Sequence, residues 1–330
     1  MSRKILIIRF SSIGDIVLTS PVIRAIKKQL TAPEVHFLTK KSFIPVLEHN
    51  PYLDSIIGID HRVSEVKQTL LAAKYDFVID LHHNIRSWQV TRLLHTRYSR
   101  FPKLNRQKWL KVHFHNYKMP DNHIVDRYFE AAAPLGIKKD GEGLELFLPG
   151  HMHNLPAIIP PEYKDRYVGL VIGGKHNTKI LPVEKVIDVI QRLNYPVILL
   201  GGKEDFQRGE AIADACNGKA WNACGKFSLL ESALLVKHAS AIISNDTGLM
   251  HIAAAFNKPI VSVWGNTIPE FGMYPYLTGN TPHFMAEIKP LYCRPCSKIG
   301  FEKCPQKHFR CMLEQDTANI AATVNQWLPE

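Results

Sequence analysis

Short β-rich runs alternate with helical patterns along nearly the whole chain, and this alternation constrains the fold more than any other feature. In the first half the runs are KILIIRF, EVHFLT, SIIGI and YDFVIDL. In the second half they are YVGLVIGG, PVILLGG, AIISND and PIVSVWG. Strands that alternate with helices form parallel sheets, because the crossover helices cover the faces of the sheet. The sequence therefore predicts an α/β protein with two doubly wound sheets.

A proline-rich segment with little periodicity, LPGHMHNLPAIIPPEYKD, separates the two blocks and is typical of an interdomain connection. We predict Rossmann-like domains over 1–155 and 156–330 that face a cleft, because ligands bind outside the carboxyl ends of the strands in such sheets. Residues 316–330 are predicted to form a terminal helix that could pack on the N-terminal domain. No apolar run reaches about 18 residues, so no transmembrane helix is expected.

Basic residues outnumber acidic ones by 41 to 30 in this chain of 330 residues, giving a net charge of +11. The excess lies in the first half: residues 1–150 hold 23 basic and 14 acidic side chains (+9), and 151–330 hold 18 and 16 (+2). Residues 81–120 contain nine basic residues and no acidic one. Such a stretch favours an anionic partner, and a merely solvated basic surface is the alternative.

Four of the six cysteines lie near the end of the chain: Cys293, Cys296, Cys304 and Cys311. The first residues suggest a core strand rather than a signal peptide, so reduced thiols are expected rather than disulfides. Cys293 and Cys296 have the spacing of half a zinc site, but Cys304 and Cys311 lack the usual spacing of a second half. We predict a structural thiol cluster without a metal, and metal binding by these cysteines is the open alternative.

A turn with an acid, a hydroxyl and a glycine follows the predicted strand ASAIIS. Gly248 permits close approach of a ligand to the backbone, and the N–H groups of Thr247 and Gly248 at a helix N-terminus suit an anion such as diphosphate. Helix capping by Asp246 or Thr247 is the alternative. Lys179 precedes another predicted helix start and offers a cation near the same strand ends, unless it is only an exposed loop lysine.

The segment after the first strand carries a candidate base. Gly14 is predicted to open a tight turn, which places Asp15 in the first turn of the next helix. The helix dipole favours the ionised carboxylate, which can accept a proton from an attacking alcohol. An acid that only complements the dipole is the alternative. Neither GxxxxGK[ST] nor a GxGxxG after the first strand occurs, which argues against P-loop kinases and Rossmann dehydrogenases.

The chain resembles the bacterial lipopolysaccharide heptosyltransferases of glycosyltransferase family 9 in five segments: IIRFSSIGDIVLTSP, YDFVIDLHHNIRSW, HIVDRYFEAAAPLGI, TKILP and ISNDTGLMHIAAAFNKPIVSVWGNTIPEFGMYPY. The resemblance implies a GT-B fold in which the first domain binds the acceptor and the second binds a sugar nucleotide. It also implies an inverting, metal-independent transfer of heptose from ADP-heptose to the lipopolysaccharide inner core. No cofactor beyond this co-substrate is expected.

The same resemblance assigns roles to residues. Asp15 is implied as the general base, and the implied diphosphate site is Lys179, Asp246, Thr247 and Gly248. Further implied donor-binding residues are His251, Asp205 for the ribose, Phe227 for the base, and Gly174 and Lys175. The implied acceptor-binding residues are Ser12, Gly14, Arg86, His123 and Arg127. Gly174 and Lys175 stand where hydroxyl residues are common in the family, a departure that bears on the identity of the donor.

The implied partners are a sugar nucleotide, an anionic lipopolysaccharide core acceptor and the inner face of the cytoplasmic membrane, touched peripherally. The chain is expected to act in the cytoplasm as a monomer and to bind no nucleic acid. The sequence contains no Asp-x-Asp, which agrees with transfer without a metal. Two other functions stay open: a nucleotide-sugar epimerase of the same two-domain plan, and a nucleic-acid-binding protein whose aromatic residues interleave with the basic stretch.

Overall fold

The computed structural model describes residues 3–328, which form two parallel sheets. The first sheet contains β1 (Lys4–Ile8), β2 (Glu34–Lys40), β3 (Ser55–Ile59), β4 (Phe77–Asp80) and β5 (Arg97–Arg100) in the order β3-β2-β1-β4-β5. The second contains β6 (Val168–Val171), β7 (Val197–Leu200), β8 (Ala220–Asn222), β9 (Ala241–Asn245), β10 (Ile260–Trp264) and β11 (His283–Glu287) in the order β11-β10-β9-β6-β7-β8.

Twelve α-helices connect and follow these strands within residues 3–328. They are α1 (Ile13–Val17), α2 (Ser20–Gln29), α3 (Lys67–Ala72), α4 (Ile85–Leu94), α5 (Asn105–His113), α6 (Ile124–Ala132), α7 (Val183–Arg192), α8 (Phe206–Ala215), α9 (Leu229–His238), α10 (Gly248–Ala255), α11 (Arg310–Leu313) and α12 (Thr317–Trp327). Short 3₁₀ helices cover Lys41–Val46, Val63–Val66, Ala133–Leu135, Pro161–Tyr163, Asn177–Lys179, Lys203–Asp205 and Pro269–Phe271. Among these residues, no helix has the length and apolar character needed to cross a bilayer.

In each sheet the order in which successive strands are added changes direction at one point, and the polar residues lie near this reversal point. In the first sheet β1 lies between β2 and β4, and in the second β6 lies between β7 and β9. Chain segments leave the two central strands toward opposite sides there, which opens a crevice at the carboxyl ends of the strands. The segments after β1 and β4, and those after β6 and β9, are therefore the places to look for a site.

The predicted α/β class with two doubly wound sheets is confirmed, and each of the eight predicted strands is present. Three strands were not predicted: β5, β8 and β11. Each of them lies at an edge of its sheet. Edge strands are short or polar because only one side is paired, so RYSR, AWN and HFMAE carry no strong strand pattern.

The chain divides into two compact units: residues up to Leu104 with Asn122–Pro149, and Asn105–Asp121 with the residues from Gly150 onward. The predicted boundary at 155/156 lies a few residues beyond Pro149.

The terminal helix α12 packs on α7 in the second unit, although the sequence allowed it to dock on the N-terminal domain. Its apolar residues Ile320, Ala321 and Val324 share a core with Val186 and Val189, which gives this face a partner in its own unit. Residues 329–330 of the predicted helix lie outside the described residues.

Candidate functional site

The first polar cluster lies where β1 ends. The chain runs from Arg9 to Ser12 and then enters α1, with Asp15 as the third residue of the helix. The predicted tight turn at Gly14 is wrong, because Gly14 is itself helical and buried. The predicted position of Asp15 in the first turn of the helix is correct.

The Asp15 carboxylate is held on both oxygens. Its Oδ1 lies 2.6 Å from Arg9 Nη2, and its Oδ2 accepts hydrogen bonds from the Ser12 amide at 3.1 Å and the Ser12 hydroxyl at 2.8 Å. Burial opposes ionisation, but the Arg9 charge and the Ser12 hydrogen bonds outweigh it and hold the pKa of Asp15 below its usual value. Asp15 is therefore ionised at neutral pH because of Arg9 and Ser12.

Arg9, which was not predicted as a site residue, connects the ends of the two strands at the reversal point. Its Nε donates to the Ser11 carbonyl at 2.7 Å, and its Nη1 donates to the Leu81 carbonyl, just beyond β4, at 2.5 Å. The guanidinium also lies 5.9 Å from the centre of the Tyr128 ring. The available sequence signal was a charged residue directly after the apolar run of the first strand, six positions before Asp15.

Two further polar atoms belong to this cluster. The His82 ring lies 5.2 Å from the Phe10 ring, and burial, with the charges of Arg9 and Lys103, lowers the pKa of His82 to about 3. His82 is therefore neutral at physiological pH. Within residues 3–328, His82 Nδ1 and the Tyr128 hydroxyl are buried without a hydrogen-bond partner. We call Arg9, Ser12, Asp15, His82 and Tyr128 the first-unit cluster.

The other residues implied in acceptor binding, Arg86, His123 and Arg127, differ in burial and in their contacts. Arg86, in α4, lies 5.4 Å from the centre of the Phe10 ring and is only half-buried, so it borders the first-unit cluster. His123 caps α6 and accepts a hydrogen bond from the Val125 amide at 3.2 Å. Arg127 is fully buried and donates to the Lys103 carbonyl at 3.4 Å. His123 and Arg127 are thus engaged in the fold of the first unit.

The second polar cluster lies where β6 and β9 end. The helix α10 begins at Gly248 with Thr247 as its cap, so its first N–H groups have no partner within the helix and attract an anion. The loop after β6 lies against this turn: a Cβ atom on Gly174 would be 3.5 Å from Thr247 Cγ2. The predicted strand, turn and helix around Asp246 are all present.

Lys179 and Asp246 form an ion pair in this second cluster. The Lys179 Nζ lies 2.5 Å from Asp246 Oδ2, and the two side chains are only 16% and 11% exposed. The Thr267 hydroxyl donates to the same carboxylate oxygen at 3.0 Å. An aspartate repels a diphosphate, so the contacts of Asp246 indicate that it fixes the position of Lys179.

Asn245 joins the two strand ends and was not singled out from the sequence. Its Oδ1 accepts a hydrogen bond from the Leu181 amide at 3.2 Å, and its Nδ2 donates to the Val171 carbonyl at 3.1 Å. A buried amide keeps its polar atoms satisfied, so Asn245 fixes the loop that carries Lys179. We call Lys179, Asn245, Asp246, Thr247 and Thr267 the second-unit cluster.

The remaining implied donor residues have varied surroundings. Asp205 is 3% exposed and accepts a hydrogen bond from the Gly202 amide at 2.9 Å, so its carboxylate is occupied by its own turn. Burial raises the pKa of Asp205. The half-buried Phe227 ring lies 6.1 Å from the Trp221 ring, beside β8. His251 is buried in α10, and Lys175 is exposed.

Gly173→Ala is expected to destabilise the second unit by about 1–3 kcal/mol, the usual cost of overpacking. A Cβ atom at Gly173 would lie 2.2 Å from Asp205 Oδ2 and 3.4 Å from the Gly201 Cα. The midpoint of urea unfolding measures the loss. Gly150→Ala is the matched control, since nothing lies within 4 Å of its added methyl group. Equal midpoints for the two variants would contradict the close packing of Asp205 against this glycine turn.

The cysteine-bearing segment supports the second-unit cluster. The Thr178 amide donates to the Phe301 carbonyl at 3.0 Å, and Arg294 donates to the Gly265 and Thr267 carbonyls at 2.5 and 2.9 Å. The six cysteines are free thiols, and Cys293 Sγ lies 3.7 Å from His308 Nε2. Among residues 3–328, no three histidine, cysteine or acidic side chains are grouped to hold a metal ion.

Two doubly wound sheets with polar clusters at their reversal points define the fold class, the GT-B architecture, which solved structures share. A family model described as Glycosyltransferase family 9 (heptosyltransferase) matches residues 63–299. The chain belongs to glycosyltransferase family 9, and the family and enzyme class expected from the sequence are confirmed.

Relatives and solved structures agree with this family. The chain is 29% identical over 282 residues to lipopolysaccharide heptosyltransferase 3 of Escherichia coli (strain K12), covering 77% of this chain and 80% of that protein. Its fold matches the family 9 glycosyl transferase from Veillonella parvula with a TM-score of 0.76, 19% identity, and coverage of 99% and 98%. It matches E. coli ADP-heptose LPS heptosyltransferase II with a TM-score of 0.73, 20% identity, and coverage of 98% of both chains.

Proposed function

We propose that this glycosyltransferase moves heptose from ADP-heptose to the inner core of lipopolysaccharide, with inversion at the anomeric carbon and without a metal ion. The proposal is carried by the ion pair between the Lys179 ammonium and Asp246. Asp246 lies in the short segment just before the N-terminus of α10. The similar proteins suggest the sugar and the acceptor, since they are a lipopolysaccharide heptosyltransferase and an ADP-heptose LPS heptosyltransferase.

The second-unit cluster is suited to a leaving diphosphate. The N–H groups at the start of α10 and the Lys179 ammonium are positive, and negative charge grows on the diphosphate as the bond to the sugar breaks. Groups that are already in place stabilise that charge without reorganisation. The Asp246 and Thr267 contacts keep Lys179 ordered, so little side-chain entropy is lost when the donor binds.

The nucleoside of the donor has candidate contacts beyond the phosphates. We assign the base to the side of Phe227 and Trp221, whose rings offer a stacking surface beside β8. Because the Asp205 carboxylate is already engaged by Gly202, we assign it to support of the glycine turns, with ribose binding as a secondary role. Gly174 and Lys175 lie in the loop between β6 and Lys179, and we assign them to the phosphates of the donor.

The first-unit cluster supplies the acceptor chemistry. We assign Asp15 as the general base: the acceptor oxygen attacks the anomeric carbon, its proton passes to the Asp15 carboxylate, and the sugar–phosphate bond breaks to release ADP. One displacement with the base on the acceptor side inverts the anomeric carbon. Arg9 lowers the basicity of the Asp15 carboxylate but keeps it ionised. The attacking hydroxyl becomes more acidic as its oxygen bonds to the anomeric carbon, so its proton is transferred after much of that bond has formed. Ser12 and Arg86 are assigned to acceptor binding.

Many glycosyltransferases use a metal cation to neutralise the diphosphate, and this chain has other positive groups for that purpose. The sequence holds no Asp-x-Asp to bridge a cation to a diphosphate, and an ammonium with helix N–H groups can carry the same charge. We therefore expect transfer to proceed in the presence of a chelator.

The proposal is tested by thermal unfolding of the full chain with ADP-heptose, UDP-sugars and GDP-sugars, with and without EDTA. A ligand that binds only the folded state stabilises it by about 2.7 kcal/mol at 100 times its Kd, so ADP-heptose is expected to raise the unfolding temperature most, equally with EDTA. A larger shift with a UDP- or GDP-sugar would refute the donor. Conversion of the donor to a new sugar nucleotide without acceptor would identify an epimerase instead.

A further inference from the structure

The helix α5 and the residue that follows it expose two large aromatic side chains to solvent. None of the residues of α5 is buried, Trp109 is 53% exposed, and Phe114, just after the helix, is 59% exposed. Surface helices of globular proteins usually bury an apolar stripe. The Lys108 ammonium lies 5.7 Å from the centre of the Phe271 ring, which attaches the helix to the second unit without covering Trp109.

The exposed aromatic side chains form an ordered group. The Trp109 ring stacks on the His113 ring with centroids 4.2 Å apart, and the Phe114 ring meets Trp109 edge-on at 6.1 Å. The Phe114 amide donates to the Leu110 carbonyl at 2.6 Å, and the Tyr117 amide donates to the Phe114 carbonyl at 2.8 Å. The aromatic surface is therefore preassembled and loses little entropy on meeting a partner.

Basic residues lie before, between and after these aromatic residues in the sequence. Arg106 shares one face of α5 with Trp109 and His113, because residues three and seven positions apart align on a helix. Arg106 and Lys118 are exposed, and Lys111 lies one turn before His115, whose carbonyl accepts from its Nζ at 2.6 Å. The sequence from 81 to 120 contains nine basic residues and no acidic one, so this segment carries a net positive charge.

We propose that Arg106, Trp109, Lys111, His113, Phe114 and Lys118, the α5 patch, dock on the surface of an anionic lipid bilayer. Tryptophan and phenylalanine insert at the boundary between headgroups and acyl chains, and lysine and arginine are attracted to anionic headgroups. This inference rests on the proposed function, which places the acceptor on a lipid. The contact itself requires neither donor nor the base Asp15, so it can be measured separately.

The test measures sedimentation of the full chain with vesicles of phosphatidylglycerol and phosphatidylcholine, and with pure phosphatidylcholine, at low and high salt. Binding is expected only to the anionic vesicles and to weaken as salt screens the charges. Arg106→Gln with Lys118→Gln is expected to weaken binding about 25-fold, since each basic residue near an anionic surface contributes about fivefold. Trp109→Ala with Phe114→Ala is expected to weaken it by at least about tenfold.

Matched controls separate this patch from general charge and aromatic content. Lys298→Gln with Lys303→Gln removes the same charge from other exposed positions, and Tyr292→Ala removes an aromatic ring that is as exposed as those of the patch. Both controls should bind vesicles as the unmodified chain does. The inference would be overturned if the patch variants bound vesicles as well as the unmodified chain does. It would also be overturned if the patch were needed for binding to a single-stranded oligonucleotide and the chain did not bind vesicles. Thermal stabilisation by ADP-heptose is read in the same samples, so loss of vesicle binding alone leaves the proposed function standing.

Discussion

The Asp15→Asn variant is expected to transfer sugar about 10²–10⁴-fold more slowly than the unmodified enzyme, the usual contribution of a positioned general base. Asparagine keeps the shape of the side chain and can still accept from Ser12, but it cannot take a proton. The Kd for ADP-heptose should be nearly unchanged, because the second-unit cluster is untouched. Steady-state kinetics of transfer and a donor titration measure the two quantities separately.

The pH dependence of transfer follows from the Arg9–Asp15 pair. The pKa of Asp15 is lowered by Arg9 and Ser12, with burial acting in the opposite direction. A carboxyl group with a lowered pKa stays ionised as the pH falls through the ordinary carboxyl range near about 3.9. The acid limb of kcat/KM should therefore lie below that range. The stability from this pair is present above the unfolded-state pKa and lost as the pH falls through the lowered value.

Asp54→Asn is a suitable control for the base. Asp54 also pairs with a cation in the first unit, with its Oδ2 2.6 Å from Lys27 Nζ, but it is not part of the first-unit cluster. Its variant should lose a little stability and keep kcat. If Asp15→Asn turned over as fast as Asp54→Asn, Asp15 would not be the base. If it lost donor affinity in proportion to kcat, the variant would have disturbed more than proton transfer.

The sequence predicts most of the fold because buried parallel strands leave strong patterns. Runs such as KILII and AIISN are mostly apolar, since both faces of a parallel strand are covered. The edge strand β5, with the sequence RYSR, has no such pattern, and its pairing with β4 is decided by tertiary contacts. The terminal helix shows the same limit: its apolar face is readable from the sequence, but the partner of that face is not.

The candidate sites are predictable only in part, for a related reason. Turn residues such as Asp246, Thr247 and Gly248 indicate a strand-to-helix junction through their backbone preferences. The partner of a charged side chain depends on which strand ends lie side by side, and this is a property of the folded sheet. Arg9 beside Asp15, and Lys179 beside Asp246, are therefore visible only in three dimensions. These pairs change the roles inferred for the two acids. Arg9 keeps Asp15 ionised, and Asp246 holds the Lys179 ammonium in place.

The Lys179→Met variant is expected to lower kcat/KM by about 10²–10³-fold, the cost of removing one preorganised group that stabilises developing charge. Methionine preserves the length and apolar stem of lysine but carries no charge, so both the bound donor and the leaving diphosphate lose a cation. The Kd for ADP-heptose should rise as well. Lys164→Met, at an exposed position of the second unit, is the matched control and should leave both quantities unchanged.

A double-mutant cycle with Asp246→Asn tests whether Asp246 acts through Lys179. If its carboxylate holds the ammonium in place, Asp246→Asn alone should lower kcat/KM by less than Lys179→Met does, and adding it to Lys179→Met should have little further effect. Residues within one ion pair show this non-additivity, whereas independent groups combine their losses. Fully additive losses would mean that Asp246 contributes to transfer on its own, and normal turnover by Lys179→Met would remove the ammonium from the mechanism altogether.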